Sequence, residues 1–138
     1  MVNAVYDLAL IQHMNLFEKI TRSKLKDCIV SDALIVFIVE QNEMAKAIGK
    51  HGSTVKTLEN TFKKKIKIVE FSPEAKSFIK NLVTPLRIAD IVEEDGTFII
   101  LPPDVKTRGL LIGRNASILR ANEAIVKRHF DIKELRVD

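Results

Sequence analysis

The segment Ile48-Gly49-Lys50-His51-Gly52 holds the residue types in this chain best suited to chemistry. Two glycines three apart bring no Cβ to hold a ligand's backbone away, and both tolerate a positive φ. The helix expected to follow begins with unpaired N–H groups and the positive end of its dipole. Such an end attracts phosphate, to which Lys50 and His51 add charge or hydrogen bonds. The chemistry is anion recognition. A sugar–phosphate chain can pass over the turn with its bases along an apolar groove, held by contacts that weaken as salt rises.

No rival chemistry emerges. The glycine turn fails the Walker pattern, because no Gly-Lys-Ser/Thr follows a glycine at the required distance. His13 and His129 lie far from the grouped Cys or His that zinc needs and read as ordinary helix-face histidines. Cys28 falls in an expected strand and reads as an inert buried thiol. Asp90, Glu93, Glu94 and Asp95 lack the alternate-position ligands of a calcium loop and read as a polar hairpin tip. With no nucleophile–base pair, metal set or nucleotide loop, no catalytic residue, metal ligand or cofactor is assigned, and no enzyme is expected. Lys63-Lys64-Lys65 with Lys67 reads either as an electrostatic footprint for phosphate or, as such runs more often are, a solvated helix end complementing the dipole; Lys127, Arg128 and His129 repeat it, which argues equally for shared structure and shared function. Thr107 and Arg108, just before the second turn, are read as an exposed helix start ahead of the alternative that they touch RNA.

The elements that must position the turn occur twice. Ala47 to Phe71 aligns without a gap on Leu111 to Leu135, pairing Ile48 with Ile112, Gly49 with Gly113 and Lys50 with Arg114. The match continues through Ser53 and Ser117, Lys56 and Arg120, Glu59 and Glu123, and Ile68 and Ile132. An aligned glycine, helix and strand mark a repeat. In the first copy the spacing predicts a helix around Tyr6 to Ile20 and strands over Asp27 to Val30 and Ala33 to Val39. A short helix over Glu43 to Ile48, a longer one over Ser53 to Lys64 and a strand over Lys65 to Phe71 complete it. In the second, Ser72–Pro73 opens a helix that carries Phe78, Ile79 and Leu82 and stops before Pro85. A hairpin of Arg87 to Val92 and Thr97 to Leu101 turns at Glu93-Glu94-Asp95-Gly96. Helices over Val105 to Ile112 and Ala116 to His129 and a strand over Phe130 to Val137 follow.

Composition agrees with two small folded units. The chain has 138 residues, and 46% apolar with 29% charged residues can build and solvate a core. One cysteine excludes an internal disulfide, and no apolar run is long enough to span a membrane. The start, MVNAVYDLALIQHM, lacks a charged segment followed by an apolar run, so no signal peptide is expected and the setting is taken as cytoplasmic. The net charge of +4 permits a polyanionic partner without requiring one. Phe37, Phe62, Phe98 and Phe130 fall at core spacing rather than as an exposed stacking platform, so base recognition is expected from a groove and backbone hydrogen bonds.

A GXXG turn between a short and a long helix resembles the KH domain, whose loop clamps single-stranded nucleic-acid backbone. The helix and extra strand ahead of that core resemble the type II variant. The stretches AIGKHGSTVKTLENTFKKKIKIVEF, FIKNLVTP and RGLLIGRNASILRANEAIVKRHF are similar to the archaeal form of NusA, RNA-binding proteins implicated in transcription termination and antitermination. The resemblance implies an α/β (α+β) fold of two tandem type II KH domains, 1–72 and 73–138, each a three-stranded sheet packed with three helices. It implies single-stranded RNA as partner, with Ile48 lining a groove and Gly49, Lys50, His51 and Gly52 forming a first clamp. Gly113, Arg114 and Asn115 would form the second, where Ala116 replaces the final glycine and its methyl narrows backbone approach. RNA polymerase or other transcription factors are further partners in view. Direct polymerase contact is left open, because bacterial NusA carries a polymerase-binding domain and an S1 domain not found in this sequence. A monomer is expected. The alternatives are a ribosome-assembly KH protein bound to pre-rRNA, or a protein-interaction scaffold with a degenerate second site. Gly49→Asp is expected to repel phosphate while leaving the fold intact.

Overall fold

The structure, a computed structural model, describes residues 7–138. They form two compact units, one ending at Ser72 and the other beginning at Pro73. The first runs α1 (Leu8–Thr21), β1 (Leu25–Val30), β2 (Leu34–Val39), α2 (Met44–Ile48), α3 (Ser53–Phe62) and β3 (Lys65–Glu70). The second repeats that order as α4 (Ala75–Val83), β4 (Asp90–Glu94), β5 (Thr97–Leu101), α5 (Val105–Ile112), α6 (Ser117–Lys127) and β6 (Glu134–Val137). Each unit is thus a mixed α/β fold of one three-stranded sheet and three helices.

Strand pairing explains where the glycine turns lie. β1 and β2 pair antiparallel, as β4 and β5 do, so a short turn joins each pair. β2 and β3 pair parallel, from Leu34 with Lys65 to Val39 with Glu70, and β5 pairs parallel with β6. Parallel neighbours need a crossover, and here it is a helix–turn–helix. The glycine turn is the midpoint of that crossover in both units.

In the first unit, Ile35, Phe37 and Val39 are alternate β2 residues in one core with Phe17 of α1, Ala47 of α2 and Leu58 of α3. Phe17 stacks on Phe37 with ring centroids 4.2 Å apart. Each such fully buried side chain stabilises the fold by about 1.5–3 kcal/mol. Cys28 is buried in this core. His13 stacks on Phe62 and its Nδ1 lies 2.8 Å from Ala9 O, so it packs the helix. In the second unit Phe78, Leu82, Ile91, Ile100, Leu111 and Leu135 are fully buried. No helix among the described residues is long and apolar enough to cross a membrane.

Several boundaries differ from the sequence expectation. The helix expected from Ser72–Pro73 starts at Ala75, because its first helical bond runs from Phe78 N–H to Glu74 O at 2.9 Å. Arg87 to Ala89 lie outside the strand, and the hairpin closes on Asp95 and Gly96 alone, both at positive φ (50° and 85°). Two such residues match the right-handed twist of the flanking strands. Phe130 to Lys133 are not strand. His129 and Phe130 N–H groups both return to Val126 O, which prolongs the turn past α6 as far as Phe130, and β6 begins at Glu134. Tyr6 lies outside the described residues.

Glu123 ties α6 to β6. Its Oε2 accepts from Leu135 N–H at 2.9 Å and from Arg120 at 3.0 Å. Partial burial, the largest single influence, raises its carboxyl pKa, but the hydrogen bonds from Leu135 and Arg120 and the positive charges of Lys127 and Arg120 together hold it below the ordinary range. A depressed folded pKa gives stability that is full above the unfolded value and is lost as pH falls through the folded one. Glu123→Ala is expected to cost about 1–2 kcal/mol at neutral pH. In urea unfolding the gap to the native protein should narrow on acidification; a pH-independent gap would deny the carboxylate this role.

Candidate nucleic-acid interface

The two turns share one backbone path. Gly49 has φ 74° and ψ 175°, and Gly113 has φ 73° and ψ 178°. This region is open in practice to glycine alone. His51 (φ 56°, ψ 28°) and Asn115 (φ 55°, ψ 33°) are left-handed, a conformation His and Asn adopt more readily than most residues. Gly52 (φ 71°, ψ 14°) and Ala116 (φ 59°, ψ 24°) are left-handed as well.

The glycines differ in what they require. A Cβ on Gly49 would overlap Thr54 Oγ1 and lie 2.9 Å from Thr54 Cβ, while one on Gly113 would lie 2.7 Å from Ile118 Cγ1. A Cβ on Gly52 would meet nothing within 4 Å. The first glycine is therefore a steric necessity, and the last is a conformational convenience. Ala116 meets that lesser demand, at a left-handed cost of about 1–2 kcal/mol. The second turn keeps its shape, so the departure at Ala116 adds a methyl group without rebuilding the loop. Gly49→Asp, in contrast, cannot leave the fold intact: its side chain would start inside Thr54.

Lys50, His51, Arg114 and Asn115 are exposed at the tips of the turns, and Ile48 is half-buried behind the first. Asp7 and Asp104 cap α1 and α5 by accepting from Leu10 and Thr107 N–H groups. The helices that leave the turns, α3 and α6, have no side-chain cap. A ligand oxygen can take the place a capping carboxylate takes elsewhere.

Lys64, Arg108 and Arg120 bond within the fold. Lys64 Nζ donates to Ser31 O at 2.9 Å, and Arg108 Nε donates to Asp138 O at 3.0 Å. Thr107 supplies the N–H that Asp104 caps, and this hydrogen bond is the main cause holding the Asp104 carboxyl below its ordinary range. Arg120 pairs with Glu123 at 3.0 Å and Glu134 at 3.8 Å, so the aligned residues Lys56 and Arg120 do not play one role. Burial depresses the Lys67 pKa. Sequence reasoning missed Thr54 and Ile118, which sit against the first glycine of each turn. Their aligned spacing after Gly49 and Gly113 was the available signal. No group of His, Cys, Asp and Glu among the described residues is placed to hold a metal.

A parallel crossover interrupted by a glycine turn, with two exposed polar residues at its tip, defines a KH-type α/β domain. The KH domain family profile matches residues 12–96. Among curated relatives, the probable transcription termination protein NusA of Methanocaldococcus jannaschii is 35% identical over 132 residues, covering 92% of this chain and 71% of that protein. The protein of the same name from Halococcus morrhuae is 30% identical over 129 residues, covering 92% and 93%. The chain belongs to the archaeal NusA-like family of KH domain proteins. The crystal structure of APE1850 shares its fold, with a TM-score of 0.76 at 23% identity over 96% of this chain and 100% of that one.

Proposed function

We propose that this chain binds single-stranded RNA without catalysing a reaction and acts in transcription termination or antitermination. Residues 1–72 and 73–138 serve as two KH domains. Ile48 lines the first groove, Gly49 and Gly52 admit the RNA backbone, and Lys50 and His51 hold phosphate. Gly113, Arg114, Asn115 and Ala116 form the second clamp. The observation that carries this reading is the shared path of the two turns despite different residues. A loop that only joined helices would have no reason to keep two exposed polar tips on so constrained a backbone. The transcription role is supported by the names of the relatives.

Two measurements test it. The protein is expected to bind short single-stranded RNA well above the same sequence in duplex form; equal affinity for both would overturn the clamp. RNA and protein partners crosslinked in cells should be nascent transcripts and the transcription machinery. Recovery of pre-rRNA with a ribosomal subunit would favour ribosome assembly instead.

A further inference from the structure

Helix α1 keeps an apolar outer face. Phe17 and Thr21 turn inward and are buried, whereas Leu8 (71% exposed), Ile11 (42%) and Leu16 (38%) face outward. With Gln12, Asn15 and Lys19 they are all the residues that α1 exposes except Ala9. Helix α4, which opens the second unit as α1 opens the first, exposes only Lys76 and Lys80. A run of exposed apolar side chains on one helix marks a surface that meets something.

The pattern on α1 is its own complement. Leu8, Gln12, Asn15 and Lys19 recur at intervals of four, three and four residues, the spacing of a seam between two helices. Ile11 and Leu16 flank that seam. Turning the helix end for end exchanges Leu8 with Lys19, Ile11 with Leu16 and Gln12 with Asn15. An antiparallel second α1 therefore sets each Ile11 against the partner's Leu16 and each Gln12 amide against the partner's Asn15 amide. Each Leu8 meets the methylene stem of the partner's Lys19. Charge selects the same arrangement. Asp7, which caps α1 through Leu10 N–H, comes beside the partner's Lys19, and among the described residues neither is ion-paired within the chain. A parallel pair would instead bring Asp7 to Asp7 and Lys19 to Lys19.

We propose that the outer face of α1 docks on the same face of a second copy of this chain, antiparallel about a two-fold axis, to give a reversible homodimer. A two-fold contact needs a patch that complements itself, and α1 supplies one in apolar, amide and charged groups alike. The Gln12–Asn15 pairs at its centre fix the register at some cost in stability. The helix of 14 residues is about 21 Å long, so the contact is smaller than the ~800 Å² per partner of a standard interface. The dimer accordingly dissociates on dilution, and Lys76 and Lys80 give α4 no means of pairing in the same way.

Sedimentation equilibrium of the chain alone, up to about 1 mM, tests this. The native chain is expected to show a monomer–dimer equilibrium. Ile11→Glu/Leu16→Glu sets like charges opposite each other and should weaken the dimer on the order of a hundredfold. Ile11→Glu/Leu16→Lys sets Glu opposite Lys twice and should dimerise about tenfold more tightly than the first variant. Only antiparallel pairing produces that rescue, because a parallel pair would oppose Glu to Glu and Lys to Lys. Both positions are exposed, so urea midpoints should stay near native and separate lost docking from lost folding. A native chain that stays monomeric, a Glu/Glu variant that dimerises like the native chain, or a Glu/Lys variant as weak as Glu/Glu would overturn the proposal. RNA is absent from every sample, so RNA binding stands or falls separately.

Discussion

Gly49→Ala is expected to cost about 2–4 kcal/mol, while Gly52→Ala costs about 1–2. The two glycines are three residues apart in one turn, and their substitutions add the same methyl group. Their consequences differ because the methyl on Gly49 collides with Thr54, at a φ and ψ that only glycine adopts freely. The methyl on Gly52 projects into open space at a left-handed φ that Ala116 already sustains in the second unit. Gly113→Ala should fall between them, since Ile118 is exposed and can rotate away. The disturbance at Gly49 should reach RNA binding too, because the turn would have to leave the path that presents Lys50 and His51. Urea unfolding of the three variants checks the order. Equal costs at Gly49 and Gly52 would show that the turn is not held as described.

The repeat and both glycine turns are legible in the sequence because they depend on local chemistry. Gly49 and Gly113 have no substitute at their backbone angles, so they stand in register while their neighbours differ. Helix α5 is legible with its structural bounds, as Pro102 and Pro103 end the strand before it and Asp104 caps it. Strand limits are less legible. Phe130 to Lys133 carry strand-like residues, but Phe130 N–H bonds back to Val126 O and Ile132 N–H to Phe130 O, and the chain meets β5 only from Lys133, whose N–H donates to Gly96 O. β4 begins at Asp90 because its partner Leu101 is the last residue of β5; Ala89 N–H still donates to Leu101 O, but no β5 residue remains to pair with Arg87 and Ile88. Thr54 and Ile118 show in the sequence only as an aligned spacing after the two glycines; their roles follow from which atom meets a glycine in space. Alignment alone also hides what Arg120 does: it matches Lys56 in type and position, yet Glu123 and Glu134 engage it.

The larger effect on function belongs to Lys50→Asp/His51→Asp. Both side chains are exposed at the tip and hold no part of the core, so the double variant should fold like the native protein. It replaces two phosphate-seeking groups with two carboxylates at the start of an uncapped helix. Removing the two charge-assisted hydrogen bonds of the proposed clamp should lower affinity on the order of a hundredfold. It should also flatten the dependence of log K on log salt, by about 0.7 for each phosphate that is no longer neutralised.

The central claim, that the first glycine turn clamps single-stranded RNA by its phosphates, is tested most directly by one salt series. Binding of a short single-stranded RNA is measured for the native chain and for Lys50→Asp/His51→Asp from low to moderate ionic strength. The account predicts much weaker binding and a shallower salt slope for the variant, with thermal stability unchanged. A variant that binds as tightly as the native chain, with the same slope, would contradict it.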